Sequence, residues 1–174
     1  ITQSYLTAAA EYAGDLSLEL VHADARSFVR PAAFDLVVNL YNSFGYFDTI
    51  QDDALLVRNA AASLKPGGSL IVEMLGKEIA VREFTAGEEF SRNGFNVRTR
   101  YQVVDSWAGL QNTWRIEGNG KVFERSFVQR MYAGTELRQL FLENGFKEVA
   151  LYGEWDGSPY DESARVLIAH ACTH

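Results

Sequence analysis

Residues 34–47 (FDLVVNLYNSFGYF) combine side chains that could bind a small ligand with a strand that could position them. The first half is a nearly continuous apolar run, which is typical of a strand covered by helices on both faces. Asparagine, serine and aromatic residues follow directly, from Asn39 to Phe47. Ligands bind at the carboxyl ends of strands in open parallel sheets. The segment therefore predicts a ligand site at this strand end; an ordinary strand followed by a turn is the alternative.

The other residue types disfavour several kinds of function. The cysteine and the histidines form no cluster that predicts a metal site, and no acid–base pair stands out, so the catalytic residue is left unassigned. The formal net charge of −7 disfavours a nucleic-acid binder, whose affinity depends on neutralising phosphates. A lone cysteine, no visible signal peptide and no apolar run near the ~20 residues of a membrane span favour a cytoplasmic protein.

Hydrophobic periodicity predicts the elements that position the central segment. In chain order they are a helix over 2–12, a short strand over 18–22 that closes at 23–25, a strand over 34–40, a helix over 49–64 and a strand over 69–75. The sequence LKPGG at 64–68 separates the second helix from the strand that follows it. The last three elements form a βαβ unit, so we expect their two strands to be parallel.

A different pattern follows Gly76. A short helix over 77–84 leads into period-two alternation over 88–132, which predicts three antiparallel strands with a hairpin turn at 118–120. We expect these strands to form an insertion over 86–132 within a single domain covering 1–174. The chain is then predicted to finish with a helix over 135–143 and strands over 146–152 and 165–171.

This order of elements resembles the Rossmann-like S-adenosylmethionine-dependent methyltransferases. The resemblance covers residues 1–77 and 134–171, and LKPGG behind the central segment is its strongest part. It implies an α/β fold with a Rossmann-like, mainly parallel sheet, an antiparallel last strand and an antiparallel β-hairpin insertion that covers the substrate. It also implies methyl transfer from S-adenosyl-L-methionine to a small-molecule acceptor.

The resemblance carries the cofactor contacts of the family over to particular positions. Asp24 would reach the adenine amino group, the backbone amide of Ala25 would meet the ring, and Ile1 would pack on adenine. The methionine part would be lined by residues leaving the central strand, which are Asn39, Leu40 and Tyr41. A turn former that bonds to its own backbone is the alternative for Asp24.

The chain departs from the family because it contains no GxGxG turn and no ribose-binding acid. In the family, two further strands lie between those predicted here at 18–22 and 34–40. Without them both strands would leave backbone groups unpaired, which is costly. We therefore expect this to be the carboxyl-terminal part of a longer protein, and we expect the isolated chain to bind the methyl donor weakly or not at all.

Aromatic residues after the central strand are candidates for substrate contact. Four of them could supply aromatic surface beside the sulfonium and the acceptor: Tyr41, Phe44, Tyr46 and Phe47. We select Phe44 and Tyr46 as substrate-binding candidates, although core packing is the better interpretation for Phe44 and Phe47.

Two arginines of the insertion are the other substrate-binding candidates. The segment 87–132 carries seven basic and five acidic residues, and Arg98 and Arg100 share a strand face with Gln102. They could bind a carboxylate or phosphate on the acceptor. The alternative, which we favour, is that these arginines pair with acids across strands and contribute little.

Two other functions compete with methyl transfer. The insertion carries aromatic residues that would also suit an interface. The main alternative is therefore a non-catalytic methyltransferase-like module that binds a partner. A nucleotide-dependent oxidoreductase is disfavoured by the LKPGG turn and the antiparallel ending. The expected partner is a small-molecule substrate, and a homodimer is left open.

Overall fold

Two four-stranded sheets organise the computed structural model, which describes residues 2–173. The strands of this part are β1 (Phe34–Asn39), β2 (Leu64–Met74), β3 (Glu89–Arg92), β4 (Phe95–Val104), β5 (Gly109–Gly118), β6 (Lys121–Arg130), β7 (Glu148–Tyr152) and β8 (Leu167–Cys172). The α-helices are α1 (Gln3–Ala13), α2 (Ile50–Ser63), α3 (Lys77–Arg82) and α4 (Gly134–Leu142). They match the four predicted helices to within two residues at each end.

The first sheet has the strand order β1-β2-β8-β7. Strands β1 and β2 are parallel neighbours, with Val38 opposite Ile71, and β8 pairs antiparallel with β2. The prediction of a parallel pair joined by a helix, with an antiparallel last strand in the same sheet, is confirmed. The expectation of a mainly parallel sheet is wrong for the described residues, because two of its three pairings are antiparallel.

The predicted strand over 18–22 does not form. This segment belongs to no sheet, and its apolar side chains are exposed, with Leu18 54% accessible. A strand requires a neighbour whose backbone groups it can bond. Among the described residues β1 is one of the two edge strands of the first sheet, and residues 18–22 do not pair with it.

Helices α2 and α4 pack on one face of the first sheet. The core that they enclose includes Val57, Leu70, Val72, Leu137, Phe141 and Leu167. On the other face of β1, Leu36 and Val38 remain about half exposed, at 51% and 50%. The expectation that helices cover both faces of this strand is therefore wrong for residues 2–173.

The second sheet, β3-β4-β5-β6, falls inside the predicted insertion and is antiparallel throughout. The hairpin at 118–120 forms as predicted, with Asn119 and Gly120 both in the left-handed region (φ 53° and 70°). The sequence interpretation gave three strands, and the structure has a fourth, β3. Its signal was present in Asn93-Gly94, a second left-handed pair that closes the β3–β4 hairpin.

Arg130 joins the second sheet to the helical layer. Its guanidinium donates to Asp53 Oδ2 at 2.6 Å and to the carbonyl oxygens of Phe47 and Asp48. The Tyr132 hydroxyl donates to the same carboxylate oxygen at 2.7 Å. Asp53 is fully buried, and burial raises its pKa against the lowering effect of these two partners. Removing one partner of such a buried pair typically costs roughly 3–5 kcal/mol, so this cluster fixes the second sheet on helix α2.

Candidate functional site

The turn after β1 has an unusual backbone. Tyr41 and Asn42 are both in the left-handed region, with φ of 57° and 56°. For residues other than glycine, this conformation costs on the order of 1–3 kcal/mol each. Strand β2 and the residue after it stabilise the turn, because Glu73 Oε2 accepts from the Tyr41 N–H and Asn42 Oδ1 accepts from the Leu75 N–H, both at 2.9 Å.

A cavity of about 320 Å³ lies beside this turn. It is bounded by the end of β2, by α3 and by one face of the second sheet, and its aromatic walls come from Tyr46, Phe84, Tyr101, Trp114 and Phe127. The rings of Tyr46 and Phe127 are in contact, with centroids 5.6 Å apart. Burial raises the pKa of Tyr46, so this hydroxyl stays protonated near neutral pH.

Three carboxamide side chains line the cavity. Asn42 comes from the turn, and Asn112 and Gln129 come from the inner face of the second sheet. Asn42 and Gln129 bond to each other: Asn42 Nδ2 donates to Gln129 Oε1 at 3.2 Å, and Gln129 Nε2 donates to Asn42 Oδ1 at 2.8 Å. Among the described lining residues only Glu83 is charged, and it pairs with Arg82 at 2.6 Å.

A second cleft, of about 530 Å³, is lined by residues 22–26 and Phe47. Arg26 donates to the Asp24 carboxylate through Nη2 at 2.7 Å, through Nε and through its backbone N–H. These bonds lower the pKa of Asp24 to about 2. The Arg26 guanidinium also lies over the Phe47 ring, 5.0 Å from its centroid. Asn59 of α2 holds this segment in place, because its side chain donates to the carbonyl oxygen of Ala25. Ala25 is the second of the two predicted adenine-binding residues.

The observed geometry shows Asp24 bonding as a turn former, and its contact with adenine stays a prediction. The carboxylate does bond to a nearby backbone N–H, as a turn former would, and it also lies in a cleft with 45% of its side chain accessible. A carboxylate has about four acceptor positions, and Arg26 makes two contacts with each of the two oxygens, so a ligand amino group would have to replace part of this pairing.

The other predicted cofactor residues lie at the end of β1. Asn39 Oδ1 is buried and has no hydrogen-bond partner among the described residues. Leu40 is half-buried, and Tyr41 is 90% exposed. Ile1 lies outside the described residues. The structure thus places Asn39, Leu40 and Tyr41 at one strand end, apart from the cleft that holds Asp24 and Ala25.

Phe44 does not line the cavity, contrary to the substrate-binding expectation. It is 1% exposed and packs against the rings of Tyr132 and Phe141, with centroids 5.6 and 6.3 Å away. The expectation for Tyr46 is compatible with the structure, since this ring does line the cavity. The two aromatic residues differ because the turn directs Phe44 into the core between α4 and the sheet.

Arg98 and Arg100 also lie away from the cavity. They are exposed on the outer face of β4, whereas Tyr101 on the same strand lines the cavity. Successive side chains of a strand point to opposite faces, which separates the arginines from Tyr101. Arg98 pairs with Glu89 across strands at 2.9 Å, as the alternative interpretation anticipated.

Asn42, Asn112 and Gln129 were not selected from the sequence. A signal existed for Asn112, which interrupts the apolar face that Leu110, Trp114 and Ile116 form on β5. Gln129 carried no such signal, because Arg125 lies on the same face of β6. Polar side chains on a buried face require partners, which marks such positions as sites of interaction. Within residues 2–173, no group of His, Cys, Asp and Glu could hold a metal ion, and no helix is long and apolar enough to cross a membrane.

Comparisons with known proteins identify the fold. No protein-family model and no curated protein matches the chain. Among solved structures, it is similar to an S-adenosylmethionine-dependent methyltransferase from Clostridium acetobutylicum, with a TM-score of 0.83 and 13% identity over 99% of this chain and 72% of that one. It is also similar to CalS10, an amino pentose methyltransferase from Micromonospora echinaspora (TM-score 0.69, 19% identity, 100% and 72% covered).

A third similar structure is the sugar N-methyltransferase KedS8 from Streptoalloteichus sp., with a TM-score of 0.69 and 17% identity over 95% of this chain and 66% of that one. The chain thus spans about two thirds to three quarters of the length of these three proteins. The similarity includes both sheets, since nearly the whole chain is covered. The chain has the fold of the S-adenosylmethionine-dependent methyltransferases.

Proposed function

We propose that this protein transfers a methyl group from S-adenosyl-L-methionine to a small-molecule acceptor. The observation that carries the proposal is the aromatic-walled cavity beside the turn after β1, in a chain with the fold of this class of enzyme. We also propose that the first sheet is Rossmann-like, which the parallel β1–α2–β2 unit supports.

The residues present fit this methyl donor at two places. Asp24 and Ala25 would hold the adenine, because an ionised carboxylate in the cleft can accept from an amino group. Asn39, Leu40 and Tyr41 would line the methionine part. The buried Asn39 Oδ1, which has no hydrogen-bond partner within residues 2–173, supports a polar ligand there. When bound, the donor supplies an electrophilic methyl group on a sulfonium.

The chain's own residues would mainly position the acceptor. Displacement at a methyl carbon requires the nucleophile to be aligned, and a cavity that fixes the acceptor supplies that alignment. The walls formed by Tyr46 and Phe127 would exclude water from the acceptor. Tyr46 is protonated near neutral pH and is assigned as a wall of the cavity, so the catalytic base stays unassigned.

A non-catalytic module that binds a partner through the second sheet is the second candidate. The concave, aromatic-walled cavity favours the enzyme, because a docking surface has no need of one. A cytoplasmic location and a homodimer stay predictions.

Donor binding to the full-length protein tests the proposal. We expect calorimetry to detect S-adenosylhomocysteine binding, and Asp24→Asn to weaken it roughly tenfold or more, because hydrogen bonds to charged groups contribute about 1.5–3 kcal/mol. Asp156→Asn is the matched control: Asp156 forms the same kind of turn, with the Ser158 N–H at 2.9 Å, but lies outside the cleft. Equal affinities of the two variants would reject the assignment of Asp24, and no binding by the unmodified protein would reject the function.

A further inference from the structure

The orientations of the Asn42 and Gln129 carboxamides are each set by a backbone group. The Leu75 N–H can only donate, so the Asn42 atom 2.9 Å from it must be Oδ1. The Phe44 carbonyl can only accept, so the Gln129 atom 3.1 Å from it must be Nε2. The mutual bonds between the two side chains satisfy both requirements together.

This arrangement leaves a defined hydrogen-bonding capacity at the cavity wall. Asn42 Nδ2 carries two hydrogens, and within residues 2–173 one of them is used, by Gln129 Oε1. Gln129 Oε1 has two lone pairs, and Asn42 uses one of them. Gln129 is only 3% exposed, so its side chain is held in place. The pair can therefore offer one N–H donor and one carbonyl acceptor to a ligand from adjacent positions.

The residues that line the cavity disfavour a negative charge on that ligand. No lysine, arginine or histidine is among the described residues that line the cavity, and Glu83 is already paired with Arg82. An anion entering this space would lose its hydration without gaining a cation, which is costly. The aromatic walls instead favour the apolar face of a ring.

We propose that Asn42 and Gln129 are specificity-determining residues that recognise a hydroxyl group on a ring-containing acceptor without negative charge. A hydroxyl both donates and accepts, so it can accept from Asn42 Nδ2 and donate to Gln129 Oε1. A carboxylate only accepts, and it would face the Gln129 oxygen with no hydrogen between them. The identification of this ligand as the methyl acceptor rests on the proposed function.

Three matched ring compounds test this recognition directly. The experiment measures binding alone, so it needs neither the methyl donor nor an activity assay. Tetrahydropyran-4-ol, tetrahydropyran and tetrahydropyran-4-carboxylate are titrated into the full-length protein, with binding followed by NMR. We expect the alcohol to bind about tenfold more tightly than the other two, because two neutral hydrogen bonds contribute about 0.5–1.5 kcal/mol each. Equal binding of the three compounds, tightest binding of the carboxylate, or binding of none overturns the inference.

Two variants separate recognition from a structural role. Asn42→Asp keeps an acceptor for the Leu75 N–H but removes the donor, and Gln129→Met removes the carbonyl. Each variant removes one of the two hydrogen bonds, so each should lower the preference for the alcohol over tetrahydropyran to about threefold, whereas Arg98→Gln, on the outer face, should retain the full preference. If both variants weaken the binding of the alcohol and of tetrahydropyran by the same factor, the ratio of the two affinities is unchanged. The residues then act structurally, and the inference is overturned. A preference for the alcohol in a protein that transfers no methyl group would uphold this inference and count against the proposed function.

Discussion

Gly45 is where the turn after β1 touches strand β6. Its φ is 89°, and its carbonyl accepts from the Arg130 N–H at 2.7 Å. A Cβ at this position would lie 2.5 Å from the Arg130 carbonyl oxygen, closer than any real contact. Glycine is therefore required here both by the backbone conformation and by the approach of a second chain segment.

Alanine substitutions at Gly45 and Gly157 should separate these two requirements. Gly157 has nearly the same φ, 88°, but a Cβ there would meet nothing within 4 Å. We expect Gly157→Ala to cost about 1–2 kcal/mol through backbone strain alone. Gly45→Ala should cost about 2–3 kcal/mol more, because the second sheet must also shift. Urea unfolding measures both losses.

Hydrogen exchange at the Arg130 amide provides an independent check of the same contact. Exchange should accelerate in Gly45→Ala relative to Gly157→Ala. Equal losses of stability in the two variants would show that the close approach to Arg130 is unimportant.

At the scale of the element, the two faces of β4 have different roles. Val97, Thr99 and Tyr101 lie on the inner face, and Arg98 and Arg100 lie on the outer one. The cross-strand partners repeat this division, since Trp114 stands opposite Thr99, and Arg115 opposite Arg98. The inner face bounds the cavity, and the outer face carries exposed ion pairs.

Substitutions on the two faces of β4 should affect the Michaelis constant of the acceptor differently. If the proposed function holds, Tyr101→Ala should raise the acceptor's Michaelis constant about tenfold, because it removes a wall of the cavity. The double variant Arg98→Gln, Arg100→Gln should leave that constant within about twofold and cost under about 1 kcal/mol of stability. Steady-state kinetics and urea unfolding measure the two effects. A raised Michaelis constant in the double variant would contradict this prediction and indicate that the arginines contact the acceptor.

At the scale of the whole molecule, two tyrosines tie separate parts of the chain to carboxylates. Tyr132 donates to Asp53 at 2.7 Å, and Tyr160 donates to Glu78 at 2.9 Å. Burial, together with these carboxylates, raises the pKa of both hydroxyls above the ordinary value of 10. In the folded protein both therefore stay protonated at a pH where free tyrosine ionises.

This difference predicts a loss of stability in alkali. Above pH 10 the unfolded chain releases tyrosine protons that the folded chain retains, so the free energy of unfolding falls as the pH rises toward the folded-state pKa. Tyr132→Phe should flatten this fall, although it should cost about 1–3 kcal/mol at pH 8 by leaving Asp53 underpaired. Urea unfolding between about pH 8 and 11 measures the slope. Tyr41→Phe, at a 90% exposed position, is the control. A slope in Tyr132→Phe as steep as in the unmodified protein would contradict the prediction.

Local pattern was sufficient to predict most elements. The apolar run of β1, the apolar spacing of α2 and the end of α2 before LKPGG each depend on neighbours within a few residues, so they were visible in the chain itself. The predicted turn at 64–68 is wrong in one respect, because these residues already belong to β2. Thr49 caps α2 by accepting from the Asp52 N–H at 3.2 Å. The same logic should have found β3, because Asn93-Gly94 is as clear a turn signal as Asn119-Gly120.

The tertiary structure decided which residues share a site. Asn42 and Gln129 are 87 positions apart, and no local pattern relates them; they meet because the insertion folds its last strand against the turn after β1. Likewise, the alternation of β4 separates Arg98 from Tyr101 but does not say which face bounds a cavity. Phe44 and Tyr46 are two positions apart in one turn, yet only Tyr46 reaches that space. Periodicity follows from local backbone geometry, whereas a cavity follows from the packing of distant segments, and that packing exists only in the folded chain.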